Sequence, residues 1–333
     1  MNRLMLCVST LLVPTILLSQ PSRQSPSFRT AARAIEVDVT VLKGGDPVRD
    51  LTREDFEILE DGVAQPITNL SFIELAGATG ASGASVRSRS VGTEPEGRTI
   101  VMLLGVRNER LWEVARTFVE KGLGPGDLVA VASAYESADQ QLAFTTSRED
   151  IMAAVGRSTR AAGSDHNPDS LLVEGINGRD AVTAAFAATR KVATLLGGIS
   201  GRRKIIVWFW PPSVFSPNSA QRNALRAAAR QNVAIYAVDP RGLTTRVDTG
   251  ALLRQADYRA ITDDTGGDSI VGSNDFGPAF ERFLRESSSY YLLAYEPAVE
   301  HTDGKFHEID VKVKRKGLSV RARRGYFAPQ VGK

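Results

Sequence analysis

The sequence predicts an α/β protein. A doubly wound, mostly parallel sheet is joined to a small β-sandwich-like domain built from the N- and C-terminal segments. Three observations predict it. Residues 98–288 alternate short, nearly continuous apolar runs with amphipathic stretches, the pattern of strands buried on both faces and the helices that cover them. Residues 34–75 and 289–328 instead alternate apolar and polar residues with period two, as half-buried strands do. Each of these β segments carries about three strands, too few to close a core alone. The two segments are therefore expected to complete one another, with the α/β part inserted between them.

Composition sets the frame. The 333 residues are 42% hydrophobic and 24% charged, with a formal net charge of +3. These are ordinary globular values, which argue against a wholly disordered chain. A charge so small for this length gives no reason to expect nucleic acid without a local basic patch. Arg3 followed by an apolar stretch, Leu4 to Leu18, interrupted by Ser9, Thr10, Pro14 and Thr15, and then Ser19-Gln20, reads as a secretory signal peptide over residues 1–20. Export to the periplasm or beyond is expected. Cys7 falls inside that segment, so the mature chain has no thiol for a disulfide, a nucleophile or a metal site. No later run approaches the length of a membrane span, and no transmembrane anchor is expected after signal removal.

The elements follow in order. Ile35, Val37, Val39 and Val41 alternate with Glu36, Asp38 and Thr40 as a strand, and Gly44-Gly45-Asp46-Pro47 is a turn. Phe56–Glu60 meets Asp61-Gly62 and continues as Val63 to Phe72, a hairpin signal. Ala76 to Gly97, rich in Gly, Ala and Ser, reads as a flexible linker. Strands are expected at Arg98–Leu104, Leu128–Ser133, Gln141–Thr145, Lys204–Trp210, Val233–Val238 and Ser269–Val271. Helices are expected at Leu111–Lys121, Ile151–Ser158 with Ser147 near its start, Arg179–Leu196, Ala220–Arg230 and Leu252–Thr265. A last helix carries the stripe Phe276, Phe280, Phe283 and Leu284. The β pattern then returns at Tyr290–Tyr295, at a second hairpin signal Asp303-Gly304, at Ile309–Val313, and at Leu318–Phe327.

Several stretches carry a resemblance. They are Val37–Leu42, Leu51–Val63, Leu123–Val129, Ile235–Asp239, Thr265-Gly-Gly267, Ser288–Leu293, Asp303–Phe306, Val311–Arg315 and Val320–Phe327. With these the chain resembles the VWFA-related acidobacterial domain family, exported bacterial proteins built on a von Willebrand factor type A domain. The resemblance covers nearly the whole mature chain and implies that fold. Type A domains typically carry a metal-ion-dependent adhesion site, with Asp-x-Ser-x-Ser after the first strand and Asp after the fourth. Here the first motif falls on Gly105, Arg107 and Glu109, and Pro211-Pro212-Ser213 stands in place of the second. Hard cations need several converging oxygens, which Glu109 alone does not supply. A degenerate site holding no metal is expected, and no cofactor.

Other constellations are weaker. Asp165, His166, Asn167 and Asp169 lack ligand spacing and read as a solvated loop. Gly122, Gly124 and Gly126 precede a strand, contrary to the context of a phosphate loop. Ser200, Ser213 and Ser216 lack a nucleophile-elbow setting. His166, His301 and His307 lie in loop or strand-edge contexts without the placement of a general base. Lys312, Lys314, Arg315, Lys316, Arg321, Arg323 and Arg324 form a basic concentration near the C-terminus. It reads as the solvated face of a hairpin, paired in part to Glu36 and Asp38. Interleaved stacking aromatics are missing, which argues against nucleic acid.

The expectation is a non-enzymatic, exported protein–protein interaction module of unknown partner. Its contacts would come from loops at the carboxyl ends of the central strands: Arg107, Asn108, Glu109, Asn177, Pro212, Ser213, Asp239 and Arg241. One alternative is an envelope hydrolase or small-ligand binder at the same sheet edge. Another is an adhesion component binding a polyanionic envelope polymer through the basic hairpin. One test bears on organisation. Limited proteolysis of the folded mature protein, read by mass spectrometry, should cut first between Ala76 and Gly97. First cuts inside Val129–Val238 would overturn the domain division.

Overall fold

In a computed structural model, residues 34–75, 97–105, 109–134, 142–160, 178–209, 219–242 and 249–330 are described. The expected signal peptide and nearly all of the expected linker lie outside them. The chain begins with β1 (Ile35–Lys43), β2 (Asp46–Pro47), β3 (Phe56–Glu60), β4 (Val63–Gln65) and β5 (Ile67–Glu74). An alternation then follows: β6 (Thr99–Leu104), α1 (Glu109–Lys121), β7 (Leu128–Ser133), α2 (Arg148–Arg160), α3 (Gly178–Leu196) and β8 (Lys204–Phe209). It continues with α4 (Ser219–Arg230), β9 (Val233–Val238), α5 (Thr249–Thr262), β10 (Ser269–Ile270) and α6 (Gly277–Ser288). The chain closes with β11 (Ser289–Tyr295), β12 (Phe306–Val313), β13 (Ser319–Arg321) and β14 (Gly325–Phe327).

The alternating part is an α/β layer around one parallel sheet, in the order β10-β9-β8-β6-β7. The interiors of its central strands are apolar because both faces are covered. Ile100, Met102 and Leu104 of β6 point into a core shared with Leu111, Phe118, Val155 and Phe280 of α1, α2 and α6. Val101 and Leu103 point the other way, onto Phe186, Leu196, Ala224 and Ile261 of α3, α4 and α5. The first core is rich in edge-to-face aromatics: Phe118 lies 5.7 Å from Phe209 and 5.1 Å from Phe280. Ser147 caps α2, its hydroxyl accepting the Asp150 amide at 3.2 Å.

The chain ends build two antiparallel sheets. One is ordered β13-β1-β11-β5 with β2 on β1, the other β14-β12-β3-β4. Both mix strands from before and after the α/β part. One core lies between them: Val37, Val39, Val41, Phe56, Ile58, Tyr291, Leu293 and Ile309, with Val311, Val313 and Val320 packed against it. Tyr291 of one sheet meets Phe56 of the other at 5.1 Å, and its hydroxyl accepts the Leu51 amide at 3.0 Å. The turn from β3 to β4 has Asp61 at φ 50° and Gly62 at φ 80°, the left-handed pair that a two-residue hairpin demands.

Several expected elements are corrected. Val63–Phe72 is two strands in different sheets. Pro66, which has no amide to donate, separates them. Leu318–Phe327 likewise divides into β13 and β14, on opposite sheets. Asp303-Gly304 is no strand-to-strand hairpin, because β11 and β12 lie in different sheets. Of Gln141–Thr145, Gln141 lies outside the described residues, and the rest makes only a bridge from Thr145 to Val129.

Buried arginines line the junction of the two parts: Arg98 bonds within the α/β part, and Arg203 and Arg323 bond across it. Arg98 is fully buried just before β6, and its guanidinium pairs with Asp127, donates to Ser287 and to the Gly122 carbonyl, and lies over the Phe283 ring. Arg203, just before β8, donates to Thr40 of β1 and to the Ser287 carbonyl, and lies over Tyr290. Arg323 reaches the carbonyls of Ala229 and Glu36. The antiparallel sheets thus sit at the amino ends of the parallel strands and leave the carboxyl ends free of this seam. Removing one partner of a buried ion pair leaves an uncompensated charge. Asp127→Ala is expected to cost about 3–5 kcal/mol of unfolding free energy, measured by urea denaturation. A loss below about 1 kcal/mol, typical of exposed pairs, would show that the packing at the start of β6 does not depend on it.

Candidate functional site

In the parallel sheet the chain order reverses between β6 and β8, and ligands of open α/β sheets bind beyond the carboxyl ends of strands at such a switch. Residues 106–108 and 210–218, which follow these two strands, lie outside the described residues. So do Arg107, Asn108, Asn177, Pro212 and Ser213 of the expected contact set. Glu109 begins α1. Gly105 closes β6, its amide donating to the Phe209 carbonyl at 3.1 Å, and brings no side chain to the place of the first expected ligand.

Asp239 and Arg241 are described, and they meet each other. The Asp239 carboxylate, nearly buried at the end of β9, accepts the Arg241 amide at 3.0 Å, its Nε at 2.9 Å and its Nη2 at 2.7 Å. Burial works against the Arg241 charge, but the hydrogen bonds and charge of Asp239, together with Tyr258, outweigh it and hold the guanidinium above its usual pKa. The Arg241 guanidinium, expected among the partner contacts, is therefore folded back onto its own loop. Beside it, Arg110 of α1 donates to the Pro240 carbonyl at 2.9 Å and to Asn274 at 3.4 Å. Gly242, at φ 80°, leaves the space these groups fill: a Cβ there would come within 2.3 Å of the Asn274 side-chain oxygen. One polar lattice thus ties together the loops after β9 and β10 and the start of α1.

The basic concentration does not form one face. Lys312 pairs with Asp310, Lys314 donates to the Glu54 carbonyl, and Arg315 pairs with Asp50 and Asp55. Lys316 is exposed. Arg321 is partly buried between Asp268 and Glu286, Arg323 is buried, and Arg324 faces Asp263 and Asp264. The expected partners are also corrected. Asp38 receives Asn232 at 3.2 Å and lies 3.9 Å from Arg203, because β1 neighbours β11 and β13, not β12.

A second constellation escaped the sequence reading. Glu60, at the end of β3, is 3% exposed. Its Oε1 accepts the Tyr326 hydroxyl at 2.6 Å and lies 3.7 Å from His301 Nε2. His301 stacks on His307 with centroids 3.7 Å apart. His307 bonds Asp61 through Nδ1 at 2.7 Å and Asp303 through Nε2 at 3.2 Å. Burial disfavours the charged His307 ring, yet the bonds to the two carboxylates raise its pKa above the usual value. Burial first, then the bond to Glu60, push the Tyr326 hydroxyl far up, so it stays a donor. The available signal was the pair of Asp-Gly turns flanked by two of the three histidines. Separated by some 240 residues, they meet only through β3–β12 pairing.

No family model and no curated protein matches this chain. Among solved structures, an aerotolerance-related membrane protein from Bacteroides fragilis NCTC 9343 aligns at 15% identity and a TM-score of 0.37, over 57% of this chain and 98% of that one. The SpRpn10 VWA domain aligns at 12% identity and a TM-score of 0.32, over 55% of this chain and 93% of that one.

Proposed function

We propose that this protein is an exported, non-enzymatic protein–protein interaction module of the von Willebrand factor type A kind, with a degenerate metal-ion-dependent adhesion site. The partner is held by the loops at the carboxyl ends of the parallel strands. In the same reading the two antiparallel sheets act as a β-sandwich-like platform, and the mature protein lies in the periplasm or outside the cell. The observation that carries it is the position of the seam. The buried arginines fasten the antiparallel sheets at the amino ends of the parallel strands, so the switch between β6 and β8 opens away from them. Support also comes from Gly105, which has no side chain to offer a metal there. Among the described residues, no helix is long and apolar enough to cross a membrane.

Two measurements test this reading. Immobilised mature protein should retain a partner from native envelope extract. The double variant Arg107→Glu, Ser213→Arg should weaken retention at least about 30-fold, as loss of a central interface residue does. Lys312→Ala with Lys316→Ala should leave it unchanged. The reverse pattern would move the interface to the C-terminal β segment. Separately, calorimetry with Mg²⁺ and Ca²⁺ should give the same result for the wild type and Glu109→Ala. Tight binding that disappears in Glu109→Ala would restore a metal site at the sheet edge.

A further inference from the structure

We propose that Glu60, His301 and His307 form a binding site for one divalent transition-metal ion of the zinc type, far from the parallel-sheet edge. One ligand atom from each of the three residues lies within 4.8 Å of the others. Two imidazoles and a carboxylate are a ligand set suited to zinc, and the mature chain offers no thiolate to compete. The site does not depend on the partner-binding reading above.

The Glu60 carboxylate is the decisive feature. It is buried, and Tyr326 satisfies only Oε1, while Oε2 has no hydrogen-bond partner. A buried carboxylate oxygen without a donor is costly. The Tyr295 hydroxyl is buried beside the same carboxylate. The gap of 3.7 Å between His301 Nε2 and Glu60 Oε1 is too long for a hydrogen bond. It suits two ligands converging on one ion through bonds of about 2.0–2.2 Å.

The surroundings supply what a metal-binding histidine needs. Asp61 Oδ2 lies 2.7 Å from His307 Nδ1. With an ion bound, that bond would keep the proton on Nδ1 and leave Nε2 to the ion, the usual carboxylate–histidine–metal relay. Asp61 is itself held in place, because its Oδ1 accepts the Glu308 amide at 2.8 Å. Asp303, 3.2 Å from Nε2, is within reach to complete the coordination. Bound there, the ion would clamp the loop carrying His301 onto the β3–β4 turn, with an open side where His301 is partly exposed.

The experiment uses the untagged mature chain, stripped with chelator and titrated with zinc chloride by calorimetry. One ion per chain is expected, with a rise in melting temperature. His301→Ala and Glu60→Gln should each weaken binding by at least about 100-fold. Asp61→Asn, which the left-handed turn position tolerates, should weaken it about 10–100-fold. His166→Ala should leave it unchanged. Co²⁺ in place of zinc should give visible ligand-field bands that vanish in His301→Ala. Circular dichroism in chelator shows which variants are folded, and partly exposed His301 can be removed with little packing loss. No saturable zinc uptake by the wild type, or uptake unchanged in folded His301→Ala, overturns the proposal and leaves a hydrated ion-pair network in its place.

Discussion

A guanidinium cut off from water must find every partner inside the protein. Arg98 does so, and the rest of the fold is arranged to allow it. Its charge is met by Asp127 in the turn before β7, its other donors by Gly122 at the end of α1 and Ser287 at the end of α6, and its face by Phe283. Asp127 in turn accepts the Arg98 amide at 2.9 Å and the Gly124 amide at 2.8 Å. One pair therefore fixes where β6 starts, where the first crossover returns and where the last helix stops. α6 passes without a loop into β11, the strand between β1 and β5. Such a charge pair costs desolvation and adds little net stability. Its value here is positional: it holds the start of β6, the turn before β7 and the end of α6 together.

The layer architecture was legible because its signal is local. Apolar runs such as Val101–Leu104 and Ile205–Phe209 name themselves as buried strands, and stripes such as Phe280 and Phe283 name the helix face. The antiparallel part was legible only as a pattern. Continuous alternation over Val63–Phe72 or Leu318–Phe327 looks the same whether a strand stays in its sheet or crosses to the facing one. The break at Pro66 is visible afterwards as a missing donor. Arg323 shows the limit most clearly. In sequence it is one charge in a basic run, in space it is buried between the Ala229 and Glu36 carbonyls, and no periodicity distinguishes the two.

The candidate sites were legible to different degrees for the same reason. The sheet edge is a property of topology, so the alternation of strands and helices located it, and Asp239 and Arg241 do lie there. Their engagement with each other was foreseeable only from spacing too short to decide between loop and partner. The cluster around Glu60 depends on long-range pairing. His307 comes opposite Tyr326, and Glu60 opposite Ile309, so its members converge only once the two chain ends have been brought together.

That convergence has a consequence for synthesis. Leu51 meets the hydroxyl of Tyr291 across 240 residues of chain. At common translation speeds β1 exists for roughly 10–50 s before β11, which pairs along most of its length, is made. During that wait the Val37–Val39–Val41 face is an unpaired apolar edge, the kind that seeks a strand from any neighbouring chain. The α/β layer, whose contacts are closer in sequence, is free to assemble first. The N-terminal segment then behaves as a tail awaiting capture, and whatever shields it in that interval governs the yield of native protein.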